Sequence, residues 1–256
     1  MLRSLLDLDL LEQYGWRLLS GLGITAQVVV LACLGGFLLS YPLARARMAR
    51  NPVVRGLALA YVTYFRGTPL LCQLYLVYYG AGEIRPFLSS AGLWWFFRDA
   101  FYCCIFAFTL NTAAYQGEII RGALLSVPRG QVEAAAALGL SRYRVARSVV
   151  WPQALLVALR PLGNELISMV KASALAAIVT LLDLMGQTRF IFARTFDFSV
   201  YLYAALLYLL ITSAIAHVWN WAERRLSRHL AEVKLRPATA AVRPEPAGVP
   251  ASWLAP

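Results

Sequence analysis

The residues able to do chemistry in this chain are few, and most of them sit inside apolar runs. Asn111, Tyr115 and Glu118 recur at i, i+4 and i+7 in "AFTLNTAAYQGEII", so a helix carries them on one face. Asn164, Ser168 and Lys171 repeat that spacing in "PLGNELISMVKASALAA", with Glu165 beside them. Ionisable groups within apolar segments are costly to keep there and are commonly functional. Two such faces can line a wet path, in which Glu118 and Glu165 receive a guanidinium or an ammonium through charge-assisted hydrogen bonds. The same groups can instead pair with each other, or with Arg66 and Arg121, and fix helix packing; the residues leave both readings open. A third stretch of interest, "QVEAAAALGLSRYRVARSVVWP" (131–152), is alanine-rich and basic and lies between two strongly apolar segments.

Catalytic and metal-binding patterns are missing from the sequence. It holds no H-E-x-x-H and no G-x-S-x-G, and its two histidines are His217 and His229. Cys33 and Cys72 lie inside apolar runs and Cys103–Cys104 are adjacent, so neither a disulfide framework nor a metal site is readable. No G-x-x-x-x-G-K-[ST] occurs, and the only lysines, Lys171 and Lys234, sit in no glycine-rich loop. No cofactor is expected in this chain, and any work it does against a gradient must draw on another protein.

The elements that position these residues follow from composition. The chain is 60% hydrophobic and 14% charged, with a mean hydropathy of +0.61, against about 25% charged in soluble domains. An all-α integral membrane protein is expected. The net charge of +11 does not point to nucleic acid, because most arginines fall in short segments between apolar runs. Five stretches approach the ~20 apolar residues that a spanning helix needs, at roughly 20–43, 57–80, 100–122, 160–182 and 198–221. Ala32, Gly36 and Ser40 form a small-residue stripe along the first, suited to close helix approach. At "RGTP", Arg66 and Pro69 suggest a helix broken within the second.

Arg45, Arg47, Arg50 and Arg55 follow span one, Arg121, Arg129, Arg142, Arg144 and Arg147 follow span three, and Arg224, Arg225, Arg228, Lys234 and Arg236 follow span five. The alternate connections balance their charges. The positive-inside rule therefore puts the N-terminus outside and the C-terminus inside. Residues 1–19 are expected in the periplasm, without a cleavable signal peptide. Residues 20–222 form the transmembrane domain, and 223–256 a basic cytoplasmic segment ending in a disordered Pro/Ala-rich tail.

This orientation places 131–152 in the cytoplasm. "QVEAAAALGL" favours helix, Gly139 can leave it in a left-handed conformation, and Ser141 can cap a second short helix that Pro152 ends or kinks. Helices this short are marginal alone, so a docking partner is expected. Here a resemblance becomes specific. Glu133-Ala134-Ala135, Gly139, Val149 and Pro152 match the spacing of the EAA loop of ABC importer permeases, with Trp151 where that family usually has leucine. "YFRGTPLLCQLYLVYYG", "AFTLNTAAYQGEIIRGALLSVPRGQ" and "SMVKASALAAIVTLLDL" extend the similarity to the polar amino-acid uptake permeases, and most closely to the M-type subunits of histidine, lysine-arginine-ornithine and opine systems.

That resemblance implies a type I importer permease of the bacterial inner membrane, five helices per subunit, with the coupling loop between spans three and four. It implies a homologous permease partner (in a heterodimer, or a homodimer), two ATP-binding subunits that use ATP and Mg, a periplasmic binding protein and an amino-acid substrate. Glu133, Ala134, Ala135, Gly139 and Pro152 would couple to the ATPase. The implied substrate is a basic amino acid or an opine, the alternative being another polar amino acid such as glutamine or glutamate. A membrane enzyme or a passive channel is the remote alternative.

Overall fold

A computed structural model describes residues 8–234 of the 256. The helices run α1 (Leu8–Arg47), α2 (Pro52–Gly67), α3 (Leu70–Glu83), α4 (Arg85–Ser90), α5 (Trp94–Phe97), α6 (Ala100–Leu125), α7 (Arg129–Ala137), α8 (Arg142–Val145), α9 (Trp151–Ala172), α10 (Leu184–Thr195) and α11 (Ser199–Lys234). A π-turn, Ala146–Val150, joins α8 to α9, and a 3-10 segment, Ser173–Val179, follows α9. Among the described residues there is no strand.

Among the described residues three stretches are long and apolar enough to cross a membrane: Asp9–Arg47, Arg142–Val179 and Ser199–Leu226. The expected span at 57–80 is two helices, because the chain breaks at Thr68–Pro69. The first span belongs to a helix that begins at Leu8, so most of the segment set apart as 1–19 is the first turns of α1. The stretch between the expected spans 57–80 and 100–122 folds into α4 and α5. The tail expected to be disordered lies outside the described residues beyond Lys234.

Two compact units divide the chain. One gathers the described part of Met1–Gly36 with Phe65–Thr112 and Leu166–Ile215. Its core includes Val28, Ala32, Leu74, Phe108, Met169 and Val179, with a second cluster around Leu18, Leu184 and Ile191. Close approaches organise it. A β-carbon on Gly35 would meet the Thr109 side chain at 3.0 Å, and one on Gly21 would meet the Asp183 carbonyl oxygen at 2.8 Å. The small-residue stripe on α1 is buried along its length.

Asp183 opens α10 in this unit. Its Oδ1 accepts the Gly186 N–H at 2.9 Å, and Thr25 Oγ1 accepts the Leu184 N–H at 3.1 Å. Asp183 is only 1% exposed, and burial pushes its carboxyl up to about 6 despite these backbone donors. Because its folded value lies above the unfolded one, the folded state holds the proton more tightly. Stability from this group is therefore full below about pH 4 and lost as pH rises through about 6. Asp183→Asn keeps the capping oxygen and is expected to flatten that decline, checked by melting temperature in detergent across this range.

The other unit gathers Phe37–Tyr64, Ala113–Glu165 and the described part of Ala216–Pro256. Its core is Ala44, Ile120, Leu124, Val127, Val132, Ala135, Val145, Val150, Ala154 and Ala158. The short helices that were expected to need a partner thus bury one side against α1 and α6 of their own chain. Gly163 lies so close to Trp219 that a β-carbon would stand 2.4 Å from the indole ring. Trp219 Nε1–H donates to the Leu159 carbonyl at 2.7 Å, and Arg160 pairs with Glu223 at 3.0 Å. Together these contacts hold α11 to α9.

Candidate functional site: a helical elbow and the polar faces of α6 and α9

The elbow, 129–152, is built from local rules. After α7, Gly139 takes φ +76. The Gly139 N–H donates to the Ala136 carbonyl at 2.9 Å, and the Leu140 N–H to the Ala135 carbonyl at 3.3 Å. These two bonds are the Schellman arrangement that ends a helix on a left-handed glycine. Ser141 occupies the N-cap position of α8 with extended backbone, but its side chain makes no capping bond. Pro152 neither ends nor breaks the chain's helical course. Proline lacks the N–H that would reach the carbonyl four residues back, and its ring clashes with that carbonyl. The wider π-turn at Ala146–Val150 takes up the conflict, and α9 continues through Pro152.

The elbow has two sides. Val132, Ala135, Val145 and Val150 are buried in the unit's core. Glu133, Ala134, Gly139, Ser141 and Pro152 are exposed, and Leu138 and Tyr143 are 81% and 70% exposed at the bend. Of the two alanines expected to couple to the ATPase, Ala134 is exposed and Ala135 is buried in the chain's own core. Trp151 packs on Tyr41 of α1 with ring centroids 5.2 Å apart, so the residue that replaces the usual leucine has its own partner.

The polar residues of α6 divide between the units. In the first, Pro69 leaves the Phe65 carbonyl without the helical donor it would have had. Asn111 Nδ2 donates to that oxygen at 3.1 Å and to Gln73 Oε1 at 2.9 Å. Gln73 Nε2 donates to Phe65 O at 3.0 Å, and to Thr68 O and Oγ1 at 3.1 and 2.8 Å. Gln73, 3% exposed, went unnoticed in the sequence. Its signal was its place four residues after Pro69, one helical turn into the following helix. Gln73→Leu is expected to cost about 1–3 kcal/mol, because it removes the Gln73 bonds to the Thr68 carbonyl and hydroxyl and to the buried Asn111 amide, and Asn111→Leu less, because Gln73 still serves Phe65 and Thr68. Melting temperatures in detergent would order the two variants.

In the second unit, Glu118 is fully engaged. Its Oε1 accepts from Arg47 Nε at 2.9 Å, and its Oε2 accepts from Arg121 Nε and Nη2 at 2.9 and 2.8 Å. Tyr115 is half-buried. On α9, Asn164, Ser168 and Lys171 are all exposed along one face, and Glu165 beside them is half-buried. Among the described residues no cluster of His, Cys, Asp and Glu could hold a metal ion, and none of the four cysteines is in a disulfide.

Comparison with known proteins bears on this arrangement. Residues 36–232 match the family described as binding-protein-dependent transport system inner membrane component. The chain is 38% identical to the nopaline transport system permease protein of Agrobacterium fabrum, over 88% of this chain and 94% of that one. It is 37% identical to the histidine/lysine/arginine/ornithine transport system permease protein of Salmonella typhimurium, over 87% and 94%. A solved amino acid ABC transporter crystallised with histidines superposes with a TM-score of 0.76 at 32% identity, over 86% of this chain and 99% of that one.

Proposed function

From a chain that belongs to the family of inner membrane components of binding-protein-dependent transport systems, we propose the permease subunit of an ABC importer for amino acids, with basic amino acids or opines as substrate. The observation that carries this reading is the elbow. Its inner side is anchored in its own core, while Glu133, Ala134, Leu138 and Tyr143 are exposed on its outer side. A separate ATPase fits that outer side, and its closure biases the permease between inward- and outward-facing states through contacts that differ between them.

In this reading the chain sits in the bacterial inner membrane with five spans, N-terminus out and elbow in the cytoplasm. It works beside a homologous permease, two ATP-binding subunits that consume ATP and Mg, and a periplasmic binding protein. Asn164, Ser168 and Lys171 on α9 face the substrate's path, since a polar exposed face is poorly suited to lipid, and half-buried Glu165 and Tyr115 border it. Asn111 and Glu118 serve as wall supports, because hydrogen bonds within the chain already occupy them.

The test is reconstitution of the complete importer in proteoliposomes, with uptake of radiolabelled L-histidine, L-arginine and octopine followed with and without ATP. Accumulation that needs ATP and the ATPase subunit is expected. Accumulation without that subunit, or none of any amino acid, would overturn the proposal. Uptake of glutamine or glutamate alone would keep the importer and replace its substrate.

A further inference from the structure

Where the first turns of α1 meet α10, Leu18, Leu184 and Ile191 share one buried cluster, and two arginines are brought together beside it. Arg17 of α1 and Arg194 of α10 both stand over the Phe190 ring, with Cζ 5.1 and 4.3 Å from its centroid. Phe190 and Arg194 are four residues apart on one face of α10, and Arg17 reaches the ring from another helix. Both arginines are exposed. Among the described residues neither forms an ion pair, and no oxygen of the chain accepts a hydrogen bond from either guanidinium. Asp197, the acid closest to Arg194 along the chain, gives its Oδ1 to the Ser199 N–H and hydroxyl. A ring face attracts a cation but does not neutralise it. Two positive charges are thus held side by side with their forks of N–H donors unused.

The neighbouring side chains indicate what balances them. Trp16, next to Arg17, and Phe196 and Phe198, just past Arg194, are 80%, 77% and 73% exposed. The two phenyl rings are held in place by Phe192, at centroid distances of 6.0 and 4.9 Å. Phe196 also takes φ +54, where glycine is at ease and a bulky side chain is strained. A ring kept outward at such a corner gains nothing from water and gains from hydrocarbon. We propose that Arg17 and Arg194 clamp the phosphodiester of one anionic phospholipid, among whose upper acyl chains Trp16, Phe196 and Phe198 are seated. Guanidinium forks match phosphate oxygens in bidentate geometry. A headgroup carrying its own ammonium would set a third cation beside the pair, so phosphatidylglycerol is favoured over phosphatidylcholine. Arg17 precedes the first expected span and Arg194 falls between the fourth and fifth, which on the proposed orientation puts this lipid in the outer leaflet. The site requires only that the chain sit in a bilayer and makes no use of the transported substrate.

The experiment titrates dioleoylphosphatidylglycerol into the complete permease–ATPase complex in neutral detergent and counts bound lipid by native mass spectrometry. A saturable lipid is expected, with phosphatidylcholine bound more weakly. Arg17→Gln and Arg194→Gln should each lower the affinity about fivefold, the value of one arginine beside an anionic lipid, and the two together by roughly the product. Arg98→Gln removes an equally exposed charge elsewhere and should change nothing. Phe196→Gly relieves the backbone, so it should keep or raise the melting temperature without lipid and still lower lipid affinity. Wild-type affinity in both arginine variants defeats the site, as does an equal loss in Arg98→Gln, which would mean attraction by net charge alone. Displacement of the lipid by millimolar inorganic phosphate would show a free-anion site instead. If the arginine variants hold lipid normally but lose affinity for the periplasmic binding protein, the face docks protein and the lipid site falls.

Discussion

Gly139→Val is expected to abolish coupled uptake while the protein still inserts in the membrane and folds. The residue sits at φ +76 with nothing within 4 Å of where a β-carbon would be, so crowding plays no part. The cost is conformational, about 1–2 kcal/mol for an L-residue in the left-handed region and higher for a β-branched one. The chain can avoid it only by giving up the Schellman ending, which re-aims Leu140, α8 and the exposed bend. Because each 1.4 kcal/mol of lost coupling is about tenfold, uptake should fall by at least that order. Gly139→Asn, which tolerates the left-handed region, should keep most activity. Glu133→Lys tests the same surface by charge, at an exposed residue that makes no ion pair among the described residues. Vesicle uptake set against ATP hydrolysis separates uncoupling from unfolding. Normal uptake by both Gly139→Asp and Glu133→Lys would defeat the assignment of the elbow to the ATPase.

Gly186→Ala should be the most damaging single methyl in the protein. Its β-carbon would stand 2.1 Å from the Leu181 carbonyl oxygen and 3.2 Å from Asp183 Oδ1. The first obstacle is backbone, in a corner where Thr180 already holds φ +64, so no side-chain rotation relieves it. Overpacking with no escape costs about 3 kcal/mol or more. Loss of monodisperse protein in detergent, or a melting temperature many degrees lower, is the expected result. Gly163→Ala is the instructive contrast. Its obstacle, at 2.4 Å, is the Trp219 side chain, which a second substitution can remove. Trp219→Leu should recover part of the loss at Gly163, whereas no side-chain truncation should rescue Gly186→Ala. Equal stability of Gly186→Ala and wild type would refute the close packing of this corner.

What was legible in the sequence was local. Alanine content, Gly139 and Ser141 describe a helix, its left-handed end and the next start within ten residues, and the structure follows them. Pro69 after Gly67 marks a break because proline's missing donor acts on its own turn. What escaped was pairing across distance. Glu118 has Arg121 one turn away, a partner already weighed in the sequence, but its other partner is Arg47, 71 residues earlier. Arg47 had seemed only one of several cytoplasmic charges. Gln73, unnoticed in the sequence, shares the Phe65 carbonyl with Asn111, 38 residues on. The fit of Gly163 to Trp219 has no local signature, since a glycine within a helix only lowers propensity. Pro152 misled for a related reason: the sequence shows the missing donor but not the widened turn that absorbs it.

That widened turn sets where the elbow can flex. A helical column is most compliant where its rungs are longest or absent, and Ala146–Val150 together with donorless Pro152 concentrates both conditions in one turn and a half. On one side of this fulcrum lies the exposed bend; on the other, Trp151 is braced by Tyr41. On the proposed coupling, a push on the bend would be spent in swivelling about a single joint and not in bowing the whole rod, and side chains that fill out or stiffen 146–150 would change that response without touching the bend.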